Sequence, residues 1–359
     1  MPNPNTYIPL DPWVASSLLQ KAIRRGATDH ALRAAHEFHR HRGSGIWRRL
    51  ALIAFEDIGI GDLELVQRIT MLAADHAYRE SFGHERELIE AVVTRMAATP
   101  KDRSADYLIC TAHDGRDVDA FRDDSRSRPR AERAAIAADA FTSLEKRAVA
   151  ACTAVEIGYG TKFSAGEPLL ELLDAFMHTG LQPSVIETVL VGARLTREPM
   201  TLMLLVVASA IRQLGLNTSV TEDEPPRVRL CGDVPTYALD KHTALGKAAI
   251  SRMVVENRRV SEVISAHVPD FRAVAVAGVA AYYADASPVL RRVDWHQSRP
   301  LEYLGLHTDM EKFGCPHDAV QLIANVVREE LDHLDDIRCR LIQSKARSPR
   351  QGDLLDGQA

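Results

Sequence analysis

The chain has 359 residues, of which 46% are hydrophobic and 26% charged, with a formal net charge of -5. That length predicts two domains and a sizeable core. The acidic balance excludes a protein that is basic all over, so contact with a polyanion would have to use local clusters among the 44 Lys and Arg residues. Cys110, Cys152, Cys231, Cys315 and Cys339 are scattered, without a CxxC pair, which fits a reducing cytoplasm and offers no zinc motif.

Helical periodicity dominates. In "DPWVASSLLQKAIRRG" Val14, Leu18, Leu19 and Ile23 recur three to four apart, Pro12 opens the helix and Gly26 closes it. Further helices are expected near 29–41, 45–58, 62–82 and 84–98, divided by "RGSG", "GIGD", "SFGH" and "TPKD". Such short breaks join antiparallel neighbours in a compact bundle. Residues 1–112 therefore read as a first helical domain. The doubly charged stretch 113–133 reads as an exposed linker or arm, and 134–216 as a second helical block. Residues 217–239 break helicity, with a short strand or hairpin expected near 226–239, where "RVRLC" alternates. A third helical block spans 240–345, and 346–359 reads as a disordered tail. The expected fold class is all-α, built of helical bundles. The most apolar run, "MTLMLLVVASAI" at 200–211, is too short to span a bilayer, and "MPNPNTYIPLDPW" has no charged-then-apolar signal. A cytoplasmic protein with no membrane partner is expected.

The stretch "WRRLALIAFEDIGIGD" at 47–62 carries the sharpest chemical pattern. At helical spacing Trp47, Leu50, Ala51, Ala54 and Ile58 share a face. Glu56 and Asp57 fall in the last turn, where negative charge opposes the helix dipole, and Gly59 supplies a left-handed cap. Carboxylates placed there call for a partner, such as an arginine on a neighbouring helix or the start of the next helix, with Arg48 and Arg49 the named candidates, and the acidic pair reads as a structural clasp rather than a catalytic dyad.

Three stretches, "SSLLQKAIRRGATDHALRAA", "RRLALIAFEDIGIGD" and "AATPKDRSADY", occur in this order within residues 13–109. They resemble the C-terminal helical region of the replication-associated recombination protein A family of AAA+ ATPases, whose eukaryotic relatives include the Werner-helicase-interacting protein. The family's forms are S-x-L-x-K-S-I-R-G-S-D-x-x-A-A-L, R-R-L-x-x-F-A-S-E-D-I-G-x-A-D and A-x-x-P-K-S-N-x-x-Y. Phe55 stands where the family has serine, Leu63 where it has proline, and Asp102-Arg103 where it has Ser-Asn. The resemblance implies a helical fold, homo-oligomerisation, and a setting in replication or repair with DNA or replisome proteins as neighbours. It carries no ATP hydrolysis here. The sequence contains no GxxxxGK[ST] phosphate loop, and "GYGTK" at 158–162 lacks its spacing.

Other clusters were weighed for chemistry. "HEFHRHRG" sets His36 and His39 three apart, but Arg40 and Arg42 disfavour a cation, so a solvated or phosphate-facing helix end is expected. The acidic residues around His333 in "EELDHLDDIRCR" read as a solvated face above Leu331, Leu334 and Ile337. In "PTYALDKHTALGKAAI", Lys241, His242 and Lys247 at a helix start offer an anion or phosphate site, with an Asp240 N-cap as the alternative reading. In 287–305, Arg291, Arg292 and Arg299 flank Trp295, a pattern suited to single strands or to a core plug.

Nothing in the sequence compels an enzyme, and no cofactor or metal motif is present. Three readings follow. The leading one is a non-ATPase accessory protein of DNA replication, repair or mobile-element maintenance that oligomerises and binds DNA or a DNA-bound protein. The second is an interaction scaffold, and the third an enzyme with an anion site around Asp240–Lys247. If phosphate is bound, Arg24, Arg25, Lys101, Arg103, Lys241, His242 and Lys247 are the expected contacts.

Overall fold

Asp11 starts the first helix by accepting hydrogen bonds from the backbone of Trp13 (3.0 Å) and Val14 (2.9 Å), with Pro12 at the first helical position. From there the computed structural model is all-α, and it describes residues 8–156 and 166–347, side chains only as far as 344. The "GYGTK" stretch at 158–162 and residues 348–359 of the expected tail lie outside the described residues.

The N-terminal helices are α1 (Pro12–Arg24), α2 (Thr28–Arg42), α3 (Gly45–Ile53), α4 (Leu63–Ala74), α5 (His76–Glu80), α6 (Glu85–Ala98) and α7 (Ser104–Asp114). Next come α8 (Asp119–Ser127), α9 (Arg130–Ala138), α10 (Leu144–Ala154), α11 (Glu167–Met177), α12 (Pro183–Thr196) and α13 (Met200–Leu214). The C-terminal part holds α14 (Ala244–Glu256), α15 (Arg258–His267), α16 (Asp270–Ala281), α17 (Ser298–Lys312), α18 (Val320–Glu329) and α19 (Leu331–Arg347). One continuous apolar core runs through all three parts, from Leu18 and Trp47 through Leu205 to Ile337. The parts interlock: α7 packs on α10, α13 and α17, while α4 packs on α12. α13, the most apolar run, is buried within this core, and among the described residues no single helix is long and apolar enough to cross a membrane.

The stretch expected as a linker at 113–133 is folded into helix. A turn at Arg116–Val118 leads into α8, and α9 follows. Its charges satisfy one another along the helix surface, as in Arg126–Asp123 (3.2 Å) and Arg128–Asp124 (2.8 Å). Ser125 reaches inward to Thr153 of α10 at 2.7 Å, and Arg122 donates to the carbonyl of Ala112 at 2.8 Å. High charge density here marks a surface helix anchored at a few points.

The expected hairpin is present as β2 (Leu230–Cys231) paired antiparallel with β3 (Val234–Pro235). A second ribbon pairs β1 (Ser219–Glu222) with β4 (Arg291–Asp294). Lys101 joins its edge, accepting from Val293 N and donating to Arg291 O, both at 2.8 Å. This contact ties the "TPKD" turn to the C-terminal part of the chain.

Scattered spacing suggested no cysteine pairing, yet Cys231 of β2 and Cys339 of α19 form a disulfide, their Cα atoms 5.1 Å apart across 108 residues of sequence. A separation that long leaves no local signature. Cys110, Cys152 and Cys315 remain thiols. Thiol titration of protein denatured without reductant is therefore expected to find three thiols, and five after reduction. Five without reductant would rule the bond out.

Candidate functional site

Two π turns build the polar heart of the molecule. The helix begun by α3 continues through a π turn at Ala54–Ile58, and α16 runs on into another at Tyr282–Ala286. A π turn widens the helix by one residue per turn and re-aims side chains, which is why such turns concentrate at functional sites. Here the first presents Glu56 and Asp57 to α1, and the second presents Tyr282 to the same place. Gly59 ends the first turn at φ +50°. A Cβ there would lie 2.9 Å from the Asp102 carboxylate. The residue is required for close approach as well as for its backbone angle, which differs from the expected left-handed helical cap (ψ -129°). Phe55, the departure from the family's serine, is fully buried against Gly192 of α12, where any Cβ would fall 2.4 Å from its ring.

The clasp exists, but with different arms. Asp57 is fully buried and accepts from Arg24 Nε at 2.6 Å, Arg103 Nε at 3.1 Å and Gln20 Nε2 at 2.8 Å. Glu56 accepts from Arg24 Nη2 at 2.6 Å. The Tyr282 hydroxyl accepts from both guanidinium groups at 3.0 Å, and Arg103 also bonds Asp106 and Ser287. An arginine from a neighbouring helix is what the acidic pair finds, in Arg24 of α1, while the named candidates lie elsewhere. Arg48 is exposed, donating to the carbonyl of Thr196, and Arg49 donates to Gln20. Among the described residues neither Arg48 nor Arg49 forms a direct ion pair with the acidic pair, although Arg49 lines the same cavity as Glu56 and feels its charge. Neighbouring elements supply the arginines instead.

Burial, then the charges of Asp57 and Asp106, push the Glu56 carboxyl up to about 7 against the pull of Arg24 and Arg103. For Asp57 burial acts upward as well, but the two arginines outweigh it and hold the carboxyl below its ordinary range. Two adjacent carboxylates thus have opposite tendencies, one retaining a proton near neutrality and the other a fixed anion.

Above the clasp lies a cavity of about 570 Å³ whose walls come from α1, the 240–242 segment, α7, α17 and the Tyr282 turn. Gln20, Lys21, Arg24, Arg49, Glu56 and Tyr282 line it, and Trp13, 69% exposed, stands among its lining residues. Lys21 pairs with Asp240 at 2.8 Å. Lys241 sits 3.8 Å from Asp309 with its ammonium 4.7 Å from the centre of the Tyr282 ring.

Of the residues expected to meet phosphate, the structure brings Arg24, Lys241 and His242 to this cavity and leaves the others apart. Arg25 is buried and bonded to Asp285 (3.0 Å) and to the carbonyl of Pro226 (2.8 Å). Lys101 is buried too, its ammonium donating to the last carbonyls of α6, those of Met96 (2.9 Å) and Ala97 (3.2 Å). Burial lowers it to about 7. Arg103 is committed to the clasp. No nucleic-acid backbone can reach these three cations without unfolding the core. Lys247 lies exposed on α14, outside the cavity lining. Thr243, rather than Asp240, caps α14, accepting from Gly246 N at 3.1 Å.

The other clusters also resolve into internal pairs. His36 meets Glu90 at 3.0 Å and His39 meets Glu85 at 3.1 Å, bridging α2 to α6. Trp295 and Arg292 are buried, the latter bonded to Asp223 at 2.9 Å, so that stretch is a core plug. The carboxylates around His333 are engaged by arginines, Glu329 and Glu330 by Arg259, Asp335 by Arg338 and Asp336 by Arg229.

Sequence reasoning missed Gln20, Lys21, Asp106, Asp309 and Tyr282. One signal was available: Ser17, Gln20, Lys21 and Arg24 repeat at helical spacing opposite the apolar stripe of α1, an ordered polar face on a helix whose every residue from Val14 except Ser16 is buried. The two π turns have no counterpart in a periodicity reading. Compared with known proteins, the chain matches no family model, no curated protein and no solved structure.

Removing the Asp57 carboxylate would strand two buried guanidinium groups, so Asp57→Ala is expected to cost about 3–5 kcal/mol of stability, read as a lowered denaturation temperature. Glu56 makes a different prediction. Because its folded pKa is raised, its contribution to stability is complete below the ordinary carboxyl value of 4.5 and is lost as pH rises through about 7. The melting temperature of Glu56→Gln, compared with that of the unaltered protein, is therefore expected to gain as pH rises from about 5 to about 8. A pH-independent difference would contradict the assignment.

Proposed function

We propose that this protein binds a small anionic ligand in the cavity over α1 and exchanges a proton with it through Glu56. The observation that carries this reading is Arg49. Its guanidinium lines the cavity, and among the described residues it has no ion-pair partner. Nη2 donates to Gln20, and Nε is buried without an acceptor. A half-buried guanidinium without a direct ion pair, supported only at longer range by Glu56 and Asp57, is costly, and an anionic group of a ligand would relieve it. Lys21 is committed to Asp240 and Arg24 to the clasp, which leaves Arg49, joined by Lys241 from its looser 3.8 Å pair with Asp309, to hold the anion. The volume suits a small metabolite, since ligand cavities commonly span about 300–1,000 Å³. Glu56, poised near neutrality, supplies the group that can give or take a proton at working pH.

Calorimetric titration with inorganic phosphate, pyrophosphate and citrate tests the reading. At least one of these anions is expected to bind and to raise the denaturation temperature, by about 2.7 kcal/mol of stabilisation at 100 times its Kd. Arg49→Ala should abolish that effect. In buffers of different ionisation enthalpy, binding near neutral pH should take up a proton, because an anion beside Glu56 raises its pKa further. Glu56→Gln should remove that uptake. Undiminished binding by Arg49→Ala, or no binding of any of the three, would overturn the proposal.

A second reading, a non-ATPase accessory protein of DNA replication, repair or mobile-element maintenance, is supported by one observation. Arg24, Glu56, Asp57 and Arg103 come one from each of the three stretches that carry the family resemblance, or two in the case of the acidic pair, and they meet in a single clasp. A shared pattern of that kind supports a shared folded unit, with homo-oligomerisation and DNA or replisome partners as what the family would bring. Anisotropy titration with single-stranded and duplex DNA at two salt concentrations separates the readings. Binding that weakens steeply with salt favours the accessory role, and no binding removes its nucleic-acid part.

A further inference from the structure

α17 ends in a cluster unrelated to the cavity. His307 and Glu311 stand four residues apart on α17 and therefore share a face. After the helix, Gly314 at φ +85° and Pro316 turn the chain back into the short 3-10 turn His317–Ala319, which returns His317 to that face. The Nδ1 atoms of His307 and His317 lie 3.3 Å apart, and Glu311 Oε1 is 2.6 Å from the latter and 3.8 Å from the former.

We propose that His307, Glu311 and His317 form a binding site for a zinc ion, with a fourth position open to water. The distances carry the argument. Ligands bound at about 2.1 Å in tetrahedral geometry lie about 3.4 Å from one another, and the three separations here straddle that value. The chemistry agrees. Three lone-pair groups converge on one point, and a single proton between the two ring nitrogens and the carboxylate cannot satisfy all three, whereas one cation can. Two imidazoles with one carboxylate suit zinc and disfavour calcium or magnesium, which take oxygen ligands. His307 is buried beneath the ring of Tyr303, whose centre is 4.1 Å away, and this fixes one ligand in place. His317, its side chain 70% exposed, leaves the fourth position open to solvent. The other Glu311 oxygen faces Arg116 at 3.9 Å, so Oε1 is the one turned to the ion. Neither the spacing His-x3-Glu-x5-His nor the absence of a cysteine motif announces such a site in the sequence.

The full chain, stripped with chelator, would be titrated with zinc chloride and, separately, with magnesium chloride. One equivalent of zinc is expected to bind, with no response to magnesium, and cobalt(II) in its place should give the visible absorption of a four-coordinate ion. His317→Ala removes an exposed ligand without opening the core, and it should weaken zinc binding by more than about ten-fold, the least effect seen when even an outer partner of a ligand is lost. Glu311→Gln should act in the same direction, and His36→Ala, in a separate histidine pair, should have no effect. Wild-type affinity in His317→Ala, loss of binding in His36→Ala, or absence of binding at micromolar zinc would each overturn the site.

Discussion

The bond network of one carboxylate, Asp57, underlies the rest of the structure. It is fully buried, and two arginines that approach from different directions, Arg24 from α1 and Arg103 from the turn before α7, share it. A charge in that position is tolerable only when fully paired. Satisfying it therefore fixes α1, the π turn and the start of α7 relative to one another to within hydrogen-bond tolerance. The same arginines then reach Tyr282 and the carbonyl of Ala286, which brings the C-terminal part of the chain onto the N-terminal helices. The cavity exists because these elements are held apart by long polar side chains rather than collapsed onto apolar ones.

A second buried chain of charges repeats the device on the neighbouring side of α1. Arg25 and Arg338 both bond Asp285, and Arg338 also bonds Asp335, joining α1, the second π turn and α19. Arg24 and Arg25, adjacent in sequence, thus point into separate clusters. Each arginine ties the C-terminal part of the chain back to the first helix. Such pairs contribute modestly to net stability, because desolvation offsets the attraction, but they discriminate strongly against any packing that would leave one member alone.

The carboxyls of the clasp divide their roles by environment. Asp57 has two guanidinium groups and an amide and remains an anion, whereas Glu56 shares Arg24, faces Asp57 and Asp106, and keeps its proton up to neutrality. The adjacency that makes the pair a clasp is also what displaces one of them into the range where proton transfer is useful. Structural and chemical readings of "FEDIG" are therefore not alternatives. Asp57 anchors the fold and Glu56 faces the cavity.

Much of the helical architecture was legible locally. Pro12 and the i, i+3, i+4 apolar residues of α1 mark a helix wherever they occur, and Gly59 and Gly26 mark breaks because a positive φ excludes most other residues. The acidic pair was recognisable as needing partners, since carboxylates at a helix end oppose the dipole. Which partners they found was not legible. Arg24 and Arg48 are equally cationic in sequence, and only the packing of α1 across the π turn buries the first and leaves the second exposed. The same holds for the charged stretch 113–133, for the Cys231–Cys339 bond across 108 residues, and for the meeting of His307 with His317. Helix ends such as those at Pro12 and Gly26 depend on steric and hydrogen-bonding preferences within a few residues, so the sequence by itself determined these. The pairing of buried charges depends on which elements come to lie side by side, a long-range outcome that only the tertiary structure decided.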